Sequence, residues 1–396
     1  MALGAVQELP RKDIVTEWWS EVKENFWEHD ARPHMKPLLK ALMQRTLIEE
    51  LEMIRRRDVG TVESLLARNG YYRRSLITHV GLLQDIRVPR LRHGGFRTKV
   101  FRRYQRCEQL VEALIRDIFL AGISTRRVGA AISALLETNV SSSTVSRITR
   151  GLDGAVQRFH HRALLDEYQY LILDGIRLKV LYNGKYRTRT VLVAYGLTLF
   201  GQRVLLDFRQ ATGESQTAWE VLLNSLYQRG LLGAHLKLIV MDGAAGLRAA
   251  AALVYPDAKI QRCWVHKLRN VANTCPKKHQ ACVRQARNIY LAPHRSAATD
   301  AFKAWKQTWR RRCPKAVACL ERDLEELLSF FACPVAHRIK VRTTNAIERS
   351  FREVRRRTNV FSCFSNTAST ERIIYAIFTH LNQGWKGAPL SGFTQF

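Results

Sequence analysis

The segment from residue 166 to residue 262 limits the fold of this chain more than any other part of the sequence. Three β-type runs come first, YLILDGIRLKVLY, RTVLVAYGLTL and RVLLDFRQ, and Asn183-Gly184 between the first two is typical of a hairpin turn. A helical pattern through Trp219, the apolar run LKLIVM, a helix rich in glycine and alanine, and the short run AKIQRC follow. Three antiparallel strands, a crossover helix and a parallel strand predict one mixed α/β layer.

Two acidic residues interrupt or end the apolar runs of this layer. Asp174 lies within YLILDGIRLKV, where a buried carboxyl is unfavourable without a partner, and Asp242 directly follows LKLIVM. The order of elements is that of a ribonuclease-H-like layer, so the first strand should be central and the parallel strand should lie beside it. Both carboxylates are then expected to reach one cation. The alternatives are an Asp174 paired with an arginine or on an edge strand, and an Asp242 that only serves the turn before Gly243.

A third acid, Glu348, opens a strongly basic helical pattern in TTNAIERSFREVRRR. We predict that this helix returns to the sheet and brings Glu348 to the other two acids. Converging carboxylates repel one another unless cations neutralise them, and oxygen ligands select hard ions such as Mg²⁺ or Mn²⁺. One alternative is a surface ladder of ion pairs along the helix. Another source of a third ligand is an acidic cluster whose distribution favours a solvated face, namely Glu321, Asp323, Glu325 and Glu326.

Basic residues dominate the composition and indicate a polyanionic partner. Lysine and arginine number 64 against 34 acidic residues, which gives a formal net charge of +30. Arginine runs at 55–57, 310–312 and 355–357 favour nucleic-acid binding over solubility by like charge. No apolar run approaches the ~18 residues of a membrane span, and the N-terminus lacks the apolar core of a signal peptide. We therefore expect a cytoplasmic, nucleoid-associated protein with reduced cysteines and no membrane partner.

The chain is expected to be a multidomain α/β protein, because 396 residues exceed the roughly 250–300 at which single cores stop growing. We predict an N-terminal helical region at 1–57, a small β-rich basic module at 58–104, a helix-turn-helix DNA-binding region at 105–165, the first part of a ribonuclease-H-like domain at 166–262, an all-helical insertion at 263–340, and the last part of that domain with a C-terminal tail at 341–396.

The helix-turn-helix prediction depends on two helical patterns across a short polar break. Residues 122–125 are typical of a helix start before RRVGAAISALLE, and Ser142 or Ser143 should cap the second helix. Polar residues of the second helix that lie outside its buried face would enter a major groove. A plain three-helix bundle shows the same pattern. The residues predicted to contact DNA here and in the basic helix are Arg126, Arg127, Thr144, Arg147, Arg150, Arg352, Arg355 and Arg356.

Cysteine and histidine form two pairs after the α/β layer, Cys263 with His266 in QRCWVHKLRN and Cys275 with His279 in CPKKH. A four-ligand zinc site is conceivable, but the short lysine-rich connection favours a structural cysteine and a hydrogen-bonding histidine beside the acids.

Two residues of the crossover region are further candidates. Glu214 is expected near the acidic site. Trp219 offers a stacking surface for a distorted base, with simple core packing as the favoured alternative.

Several motifs together resemble the bacterial Mutator-type DDE transposases of insertion sequences, of the MULE superfamily. They extend over nearly the whole chain: RNGYYRRSLITHVGLLQDIRVPRLR, GISTRRVGAAI with SSSTVSRI, YLILDGIRLKV, GESQTAWEVLLNSLYQRGL, VMDGAAGL, QRCWVHKLRN and TTNAIERSFREVRRRT. The resemblance implies that Asp174, Asp242 and Glu348 are the catalytic and metal-binding triad, and that Cys263 and His266 are the family's C-x₂-H signature. It also implies that the N-terminal region recognises terminal inverted repeats.

The expected activity is that of a DNA transposase with two Mg²⁺ or Mn²⁺ ions per active site. Hydrolysis at a transposon end would free a 3′-OH, which then attacks target DNA by transesterification. Because two ends must join one target, a homodimer or larger assembly on double-stranded DNA is expected. The alternatives are a non-enzymatic DNA-binding protein derived from a transposase and a metal-dependent nuclease that only hydrolyses.

Overall fold

The computed structural model of the chain describes residues 32–57, 67–92, 96–102, 104–121, 123–182, 184–358, 364, 366–390 and 393. Residues 1–31, together with Gly122 of the predicted helix start and Asn183 of the predicted hairpin turn, lie outside the described residues. The chain forms two compact units, Met1–Arg150 and Gly151–Phe396. The boundary falls inside the region 105–165.

The first unit combines a β-hairpin with four helices in its described part. Its elements are α1 (Arg32–Arg57), β1 (Arg68–Thr78), β2 (Gly81–Leu91), α2 (Gln109–Leu120), α3 (Thr125–Leu136) and α4 (Ser142–Arg150). The two strands are antiparallel, and α1 packs on β2. The core between them is apolar and includes Leu47, Leu76, Leu83, Ile86, Val88 and Phe101.

The close approach of α3 to the turn before α4 depends on glycine. A Cβ atom at Gly129 would lie 2.4 Å from the carbonyl oxygen of Val140, a distance that no side chain tolerates. Ser133 holds the same turn, because its hydroxyl donates to the Gly129 carbonyl at 2.7 Å and accepts from the Val140 amide at 2.8 Å.

Serine side chains cap both helices, in one case at a different residue from the predicted one. Ser124 caps α3 as expected. The cap of α4 is Ser141, whose hydroxyl accepts from the Thr144 amide at 3.2 Å, so the prediction of Ser142 or Ser143 was wrong by one or two positions. A run of three serines offers no local signal that selects one of them.

The second unit is built on a five-stranded mixed sheet. Its elements up to the last strand are α5 (Asp153–His161), β3 (Tyr168–Tyr182), β4 (Lys185–Thr198), β5 (Arg203–Ala211), α6 (Gln216–Gln228), β6 (Leu238–Met241), α7 (Ala245–Val254) and β7 (Lys259–Arg262). The spatial order is β5-β4-β3-β6-β7. Strands β5, β4 and β3 are antiparallel neighbours, whereas β6 runs parallel to β3 and to β7. The predicted element order for 166–262 is confirmed.

The two faces of the central strand β3 have different neighbours. Leu171 and Leu173 belong to the core that the sheet shares with α6 and α7. Because side chains alternate along a strand, Tyr170 and Asp174 belong to the opposite face. There the Tyr170 hydroxyl lies 2.8 Å from His337 Nδ1, so this face is covered by the helical part of the chain.

Only helices and short helical turns follow β7 as far as residue 341, a stretch that is described throughout. The helices are α8 (Trp264–Thr274), α9 (Gln280–Gln285), α10 (Arg287–Leu291), α11 (Arg295–Trp309), α12 (Pro314–Glu321), α13 (Leu324–Leu327) and α14 (Val335–Val341), with 3₁₀ turns at Lys277–His279 and Ser329–Ala332. Helices α15 (Asn345–Thr358) and α16 (Thr367–Trp385) then return to β3.

Among the described helices, none is both long enough and apolar enough to cross a membrane.

Candidate active site

Asp174 and Asp242 lie side by side on neighbouring parallel strands. The register of β3 with β6 sets Tyr170 opposite Leu238 and Ile172 opposite Val240. Two residues further along both chains, the same register sets Asp174 opposite Asp242, just beyond the end of β6. Since side chains alternate, both carboxylates belong to the same face of the sheet.

Backbone amides orient one oxygen of each carboxylate. The Gly175 amide donates to Asp174 Oδ1 at 2.8 Å, and the Ala244 amide donates to Asp242 Oδ1 at 2.9 Å. Asp242 therefore stabilises the turn before Ala244 and also lies next to Asp174. Its role in the turn does not conflict with the predicted role as a metal ligand.

Glu348 reaches these acids from the first turn of α15. It lines a small cavity of about 190 Å³ together with Asp174 and His266, and its Oε1 lies 3.9 Å from His266 Nε2. The ligand oxygens of Asp174, Asp242 and Glu348 are not all within 4.8 Å of one another. Asp174 and Glu348 line the cavity, and Asp242 lies next to Asp174 outside its lining.

The pKa of Asp174 is raised to about 7, mainly by burial and to a smaller extent by the nearby Asp242 and Glu348. The Gly175 amide and His266 oppose this rise in the pKa. A buried carboxyl that resists ionisation beside other carboxyls becomes charged at neutral pH when a cation neutralises it. The donors are oxygen atoms, which suit hard divalent ions.

Cys263 and Thr344 connect the start of α8 to the start of α15. The Thr344 amide donates to Cys263 Sγ at 3.3 Å. The Thr344 hydroxyl lies 3.4 Å from the same sulfur and 3.0 Å from Glu348 Oε1. Because a hydroxyl carries one proton, the shorter contact with a carboxylate is the favoured one. The predicted structural role of Cys263 therefore has a partner, Thr344, that sequence reasoning missed.

The neighbours of His266 favour its protonated form. The contact with Cys263 raises the pKa of His266 to about 9, although no well-aligned hydrogen bond reaches its buried Nδ1. Burial by itself would raise the pKa of the Cys263 thiol, but His266 and Thr344 lower it below its ordinary value. A cation at His266 offsets part of the negative charge of Asp174 and Glu348.

The four-ligand zinc site considered for Cys263, His266, Cys275 and His279 is excluded by the length of one helix. Cys263 and Cys275 flank the two ends of α8, which spans Trp264–Thr274. At 1.5 Å per residue the two cysteines lie about 18 Å apart, too far to share one ion.

The acidic cluster at 321–326 supplies no third ligand, and the expectation of a solvated face is wrong for Asp323. Its side chain is only 8% exposed and forms ion pairs with Arg262, at 2.5 Å, and with Lys267. Arg262 also donates to the carbonyl of Gly243 at 2.6 Å, so this buried network supports the turn after Asp242. The other three acids pair with basic side chains, as Glu321 with Lys306, Glu325 with Arg295 and Glu326 with Arg248.

Glu214 borders the site, whereas Trp219 does not. A Cβ atom at Gly175 would lie 3.1 Å from Glu214 Oε1, which places this carboxyl beside Gly175, on the face of β3 that carries Leu171 and Leu173. Burial raises the pKa of Glu214, and Asp242 adds to that rise. The Trp219 side chain is fully buried in the core under that same face, as the core-packing alternative predicted, and presents no surface to a base.

Of the arginines predicted to contact DNA, Arg355 lines the cavity of the acids. Arg269 lines it as well and was missed, although it lies three residues after His266 on the same face of α8. Arg352 and Arg356 are exposed on α15, and Arg356 pairs with Glu353 at 2.7 Å. In the first unit Thr144 is half-buried. The predicted arginines of that unit are exposed, namely Arg126, Arg127, Arg147 and Arg150.

Comparison with known proteins assigns the family. The model of the family described as "Transposase, Mutator family" matches residues 20–388. The chain is 36% identical over 357 residues to the transposase for insertion sequence element ISRM5 of Rhizobium meliloti, covering 89% of both chains. It is 34% identical over 322 residues to the transposase for IS256 in transposon Tn4001 of Staphylococcus aureus, and 36% identical over 321 residues to the transposase for IS406 of Burkholderia multivorans, covering 80% of this chain and 82% of each relative. The chain belongs to the Mutator family of transposases.

Proposed function

We propose that this protein is a DDE transposase that binds the terminal inverted repeats of its insertion sequence and catalyses metal-dependent DNA cleavage and strand transfer. The observation that carries the proposal is that Asp174, Glu348 and His266 line one cavity, with Asp242 next to Asp174 at the end of the neighbouring strand. A formal net charge of +30 supplies the attraction for DNA around these acids.

The sheet of the second unit supports a ribonuclease-H-like interpretation of the catalytic domain. Its central strand β3 carries Asp174, its parallel neighbour β6 ends at Asp242, and α15 returns with Glu348 after the helical insertion. This arrangement brings together acids that are far apart in sequence.

The proposed cofactors are Mg²⁺ or Mn²⁺ ions, two in each active site. Asp174, Asp242 and Glu348 provide only hard oxygen ligands, and a cation would favour the charged form of Asp174, whose pKa is raised by burial. Bound divalent ions would activate the attacking hydroxyl and stabilise the charge of the leaving oxygen.

The protein's own side chains hold the DNA and orient the acids. Arg269 and Arg355 line the cavity, where they can bind the phosphate oxygens next to the scissile bond. His266 faces Glu348 at 3.9 Å and Thr344 donates to the same carboxylate, so both fix the side chain of Glu348. The Gly175 and Ala244 amides do the same for Asp174 and Asp242.

Glu214 acts as a fourth carboxyl at this site in our proposal. Its electrostatic interaction with Asp242 supports that role. Replacement by glutamine keeps the shape and removes the charge. The Glu214→Gln variant should therefore bind end DNA normally and require a higher concentration of Mn²⁺ for half-maximal cleavage.

Recognition of the terminal repeats is assigned to the pair α3 and α4 as a helix-turn-helix. The tight contact at Gly129 and the exposed Arg147 and Arg150 on α4 support it. Arginine contacts to phosphates should make the affinity fall steeply with salt.

We also propose that a homodimer or larger assembly holds the two transposon ends. One active site has to act on each end before both are joined to a single target. Light scattering on the complex with paired ends should give at least two protein chains. One chain for each pair of ends would contradict the proposal.

The experiment that tests the function follows both cleavage and joining. Duplexes that carry the sequence flanking the gene are labelled at either strand and incubated with a target plasmid in Mg²⁺ or Mn²⁺. The wild type should release a 3′-OH end and join it to the plasmid, and Asp174→Ala should do neither. The matched control is Asp257→Asn, an exposed acid in the turn after α7, which should act as the wild type does.

Two outcomes would favour the alternatives. Metal-dependent nicking with no joined product, even with paired ends, would favour a nuclease that only hydrolyses. Specific binding of paired ends with no cleavage in either metal would favour a DNA-binding protein derived from a transposase.

A further inference from the structure

Three buried thiols converge in the helical segment, outside the carboxylate site. The sulfur atoms of Cys275, Cys282 and Cys313 all lie within 4.8 Å of one another. Among the described residues, no other group of three or more histidine, cysteine or acidic side chains brings its ligand atoms this close together.

The spacing of these sulfurs suits a tetrahedral metal ion. Two thiolates at the usual Zn–S distance of about 2.3 Å and the tetrahedral angle lie about 3.8 Å apart. Cys275 Sγ and Cys313 Sγ are 3.6 Å apart. Sulfur ligands select soft or borderline ions, so the cluster discriminates against the Mg²⁺ that the carboxylate site prefers.

The three cysteines come from three separate places in the segment. Cys275 follows the last residue of α8, Cys282 lies within α9, and Cys313 directly precedes α12. Tryptophans of α11 hold two of them in place, since Trp305 Nε1 donates to the carbonyl of Cys282 at 2.8 Å and the Trp309 carbonyl accepts from the Cys313 amide at 2.7 Å.

The surroundings of the cluster offer charge compensation. Cys275 Sγ donates to the carbonyl of His279 at 3.3 Å, and the His279 ring packs edge-on against Trp309. Basic residues flank the cysteines in sequence, at 277–278 and at 310–312. A Zn²⁺ ion with three thiolates carries one net negative charge, which these neighbours can balance.

We propose that Cys275, Cys282 and Cys313 bind a structural Zn²⁺ ion that pins α8, α9 and the start of α12 to one another. The ion would lie at the far end of α8 from Cys263, about 18 Å away by helix length, and so is distinct from the catalytic ions. The proposal does not depend on the transposase activity, because its ligands include none of the site residues.

The metal content of the purified full-length chain tests the proposal. Protein made without chelators should contain about one zinc per chain by elemental mass spectrometry, as a single tetrahedral site requires. Cys275→Ala, Cys282→Ala and Cys313→Ala should each lose most of it. The matched control is Cys319→Ala, a half-exposed cysteine on α12, which should keep the wild-type zinc content.

A second measurement needs no variant and so remains informative if the alanine variants fold poorly. Metal-free wild type titrated with Co²⁺ should develop the thiolate charge-transfer and d–d absorption bands of a tetrahedral site, and Zn²⁺ should remove them. With Mg²⁺ already saturating, added Zn²⁺ should raise the melting temperature further.

Three results would overturn the proposal. The first is a zinc-free chain that shows no cobalt bands. The second is a disulfide between Cys275 and Cys313 in protein purified without oxidant, which would make the cluster a redox pair. The third is zinc that persists unchanged in all three alanine variants.

Discussion

The amide of Thr344 donates to the sulfur of Cys263 at 3.3 Å, which ties the residue before α15 to the residue before α8. The consequence is that one contact holds together the two helices that carry His266, on α8, and the proposed metal ligand Glu348, on α15. The cysteine of the C-x₂-H motif thus has a positioning role, since it anchors the two helices whose side chains meet at 3.9 Å.

We expect Thr344→Val to impair cleavage without weakening the binding of end DNA. The variant loses the hydroxyl that donates to Glu348 Oε1 at 3.0 Å. A hydrogen bond to a charged group contributes ~1.5–3 kcal/mol, which corresponds to a roughly 10- to 100-fold lower kcat. Thr344→Ser keeps the hydroxyl and should retain most of the activity. Single-turnover cleavage at the wild-type rate by the valine variant would contradict this role.

Asp174→Asn should stabilise the metal-free protein at alkaline pH. Because burial raises the pKa of Asp174 to about 7, the folded state binds this proton more tightly than the unfolded state. The resulting stabilisation is complete below about pH 4 and is lost as the pH rises through about 7. Asparagine carries no such charge. The melting temperature of the Asp174→Asn variant in chelator at pH 8 should exceed that of the wild type by at least about 2 °C. The difference between the two melting temperatures should vanish near pH 4.

Divalent ions should make the wild type melt at a higher temperature than the Asp174→Asn variant. Mn²⁺ should raise the melting temperature of the wild type at pH 8, and less at pH 5, where protons compete for Asp174. It should leave Asp174→Asn nearly unchanged. Asp257→Asn is the control and should follow the wild type in every buffer. Equal Mn²⁺ effects on wild type and Asp174→Asn would remove Asp174 from the metal site.

Asp323→Asn should strongly destabilise the second unit. Asp323 is 8% exposed and Lys267 only 2%, so removal of the carboxylate leaves Lys267 and Arg262 as buried charges without their partner. Breaking a buried pair in this way costs ~3–5 kcal/mol. Glu325→Gln, whose side chain is 84% exposed, should change the free energy of unfolding by less than about 1 kcal/mol. Urea unfolding of both variants measures this difference. Similar urea midpoints for the two variants would contradict a structural role for the ion pairs of Asp323.

Gly129→Ala should weaken binding to the terminal repeat. The added Cβ would lie 2.4 Å from the Val140 carbonyl and force α3 away from the turn before α4. Overpacking of this kind costs ~1–3 kcal/mol, and the proposed recognition helix α4 would be displaced. Gly154→Ala is the matched control, because its Cβ would meet only the end of Arg158 at 3.6 Å. Fluorescence anisotropy with end DNA should show a lower affinity for Gly129→Ala and the wild-type affinity for Gly154→Ala. An unchanged affinity of Gly129→Ala would argue against α3 and α4 as the DNA-binding pair.

The element order of the sheet was predictable because its signals are local. Apolar runs rich in valine, leucine and isoleucine mark β3, β4 and β5, and glycine turns separate them. Asp174 and Asp242 stood out for the same reason, since a carboxyl inside or at the end of an apolar strand needs a partner wherever the strand goes. The cap of α4 shows the limit of such signals, because three adjacent serines are locally equivalent and packing selected Ser141.

The strands of the sheet, the helical segments and the family could be predicted from the residues alone. The contacts between side chains far apart in sequence depend on tertiary packing: Asp323 with Lys267 and Arg262, Thr344 with Cys263, and Cys313 with Cys275 and Cys282. Propensity and periodicity report only on neighbours within a few residues. Burial and ion pairing depend instead on how whole helices pack, and no local pattern contains that information.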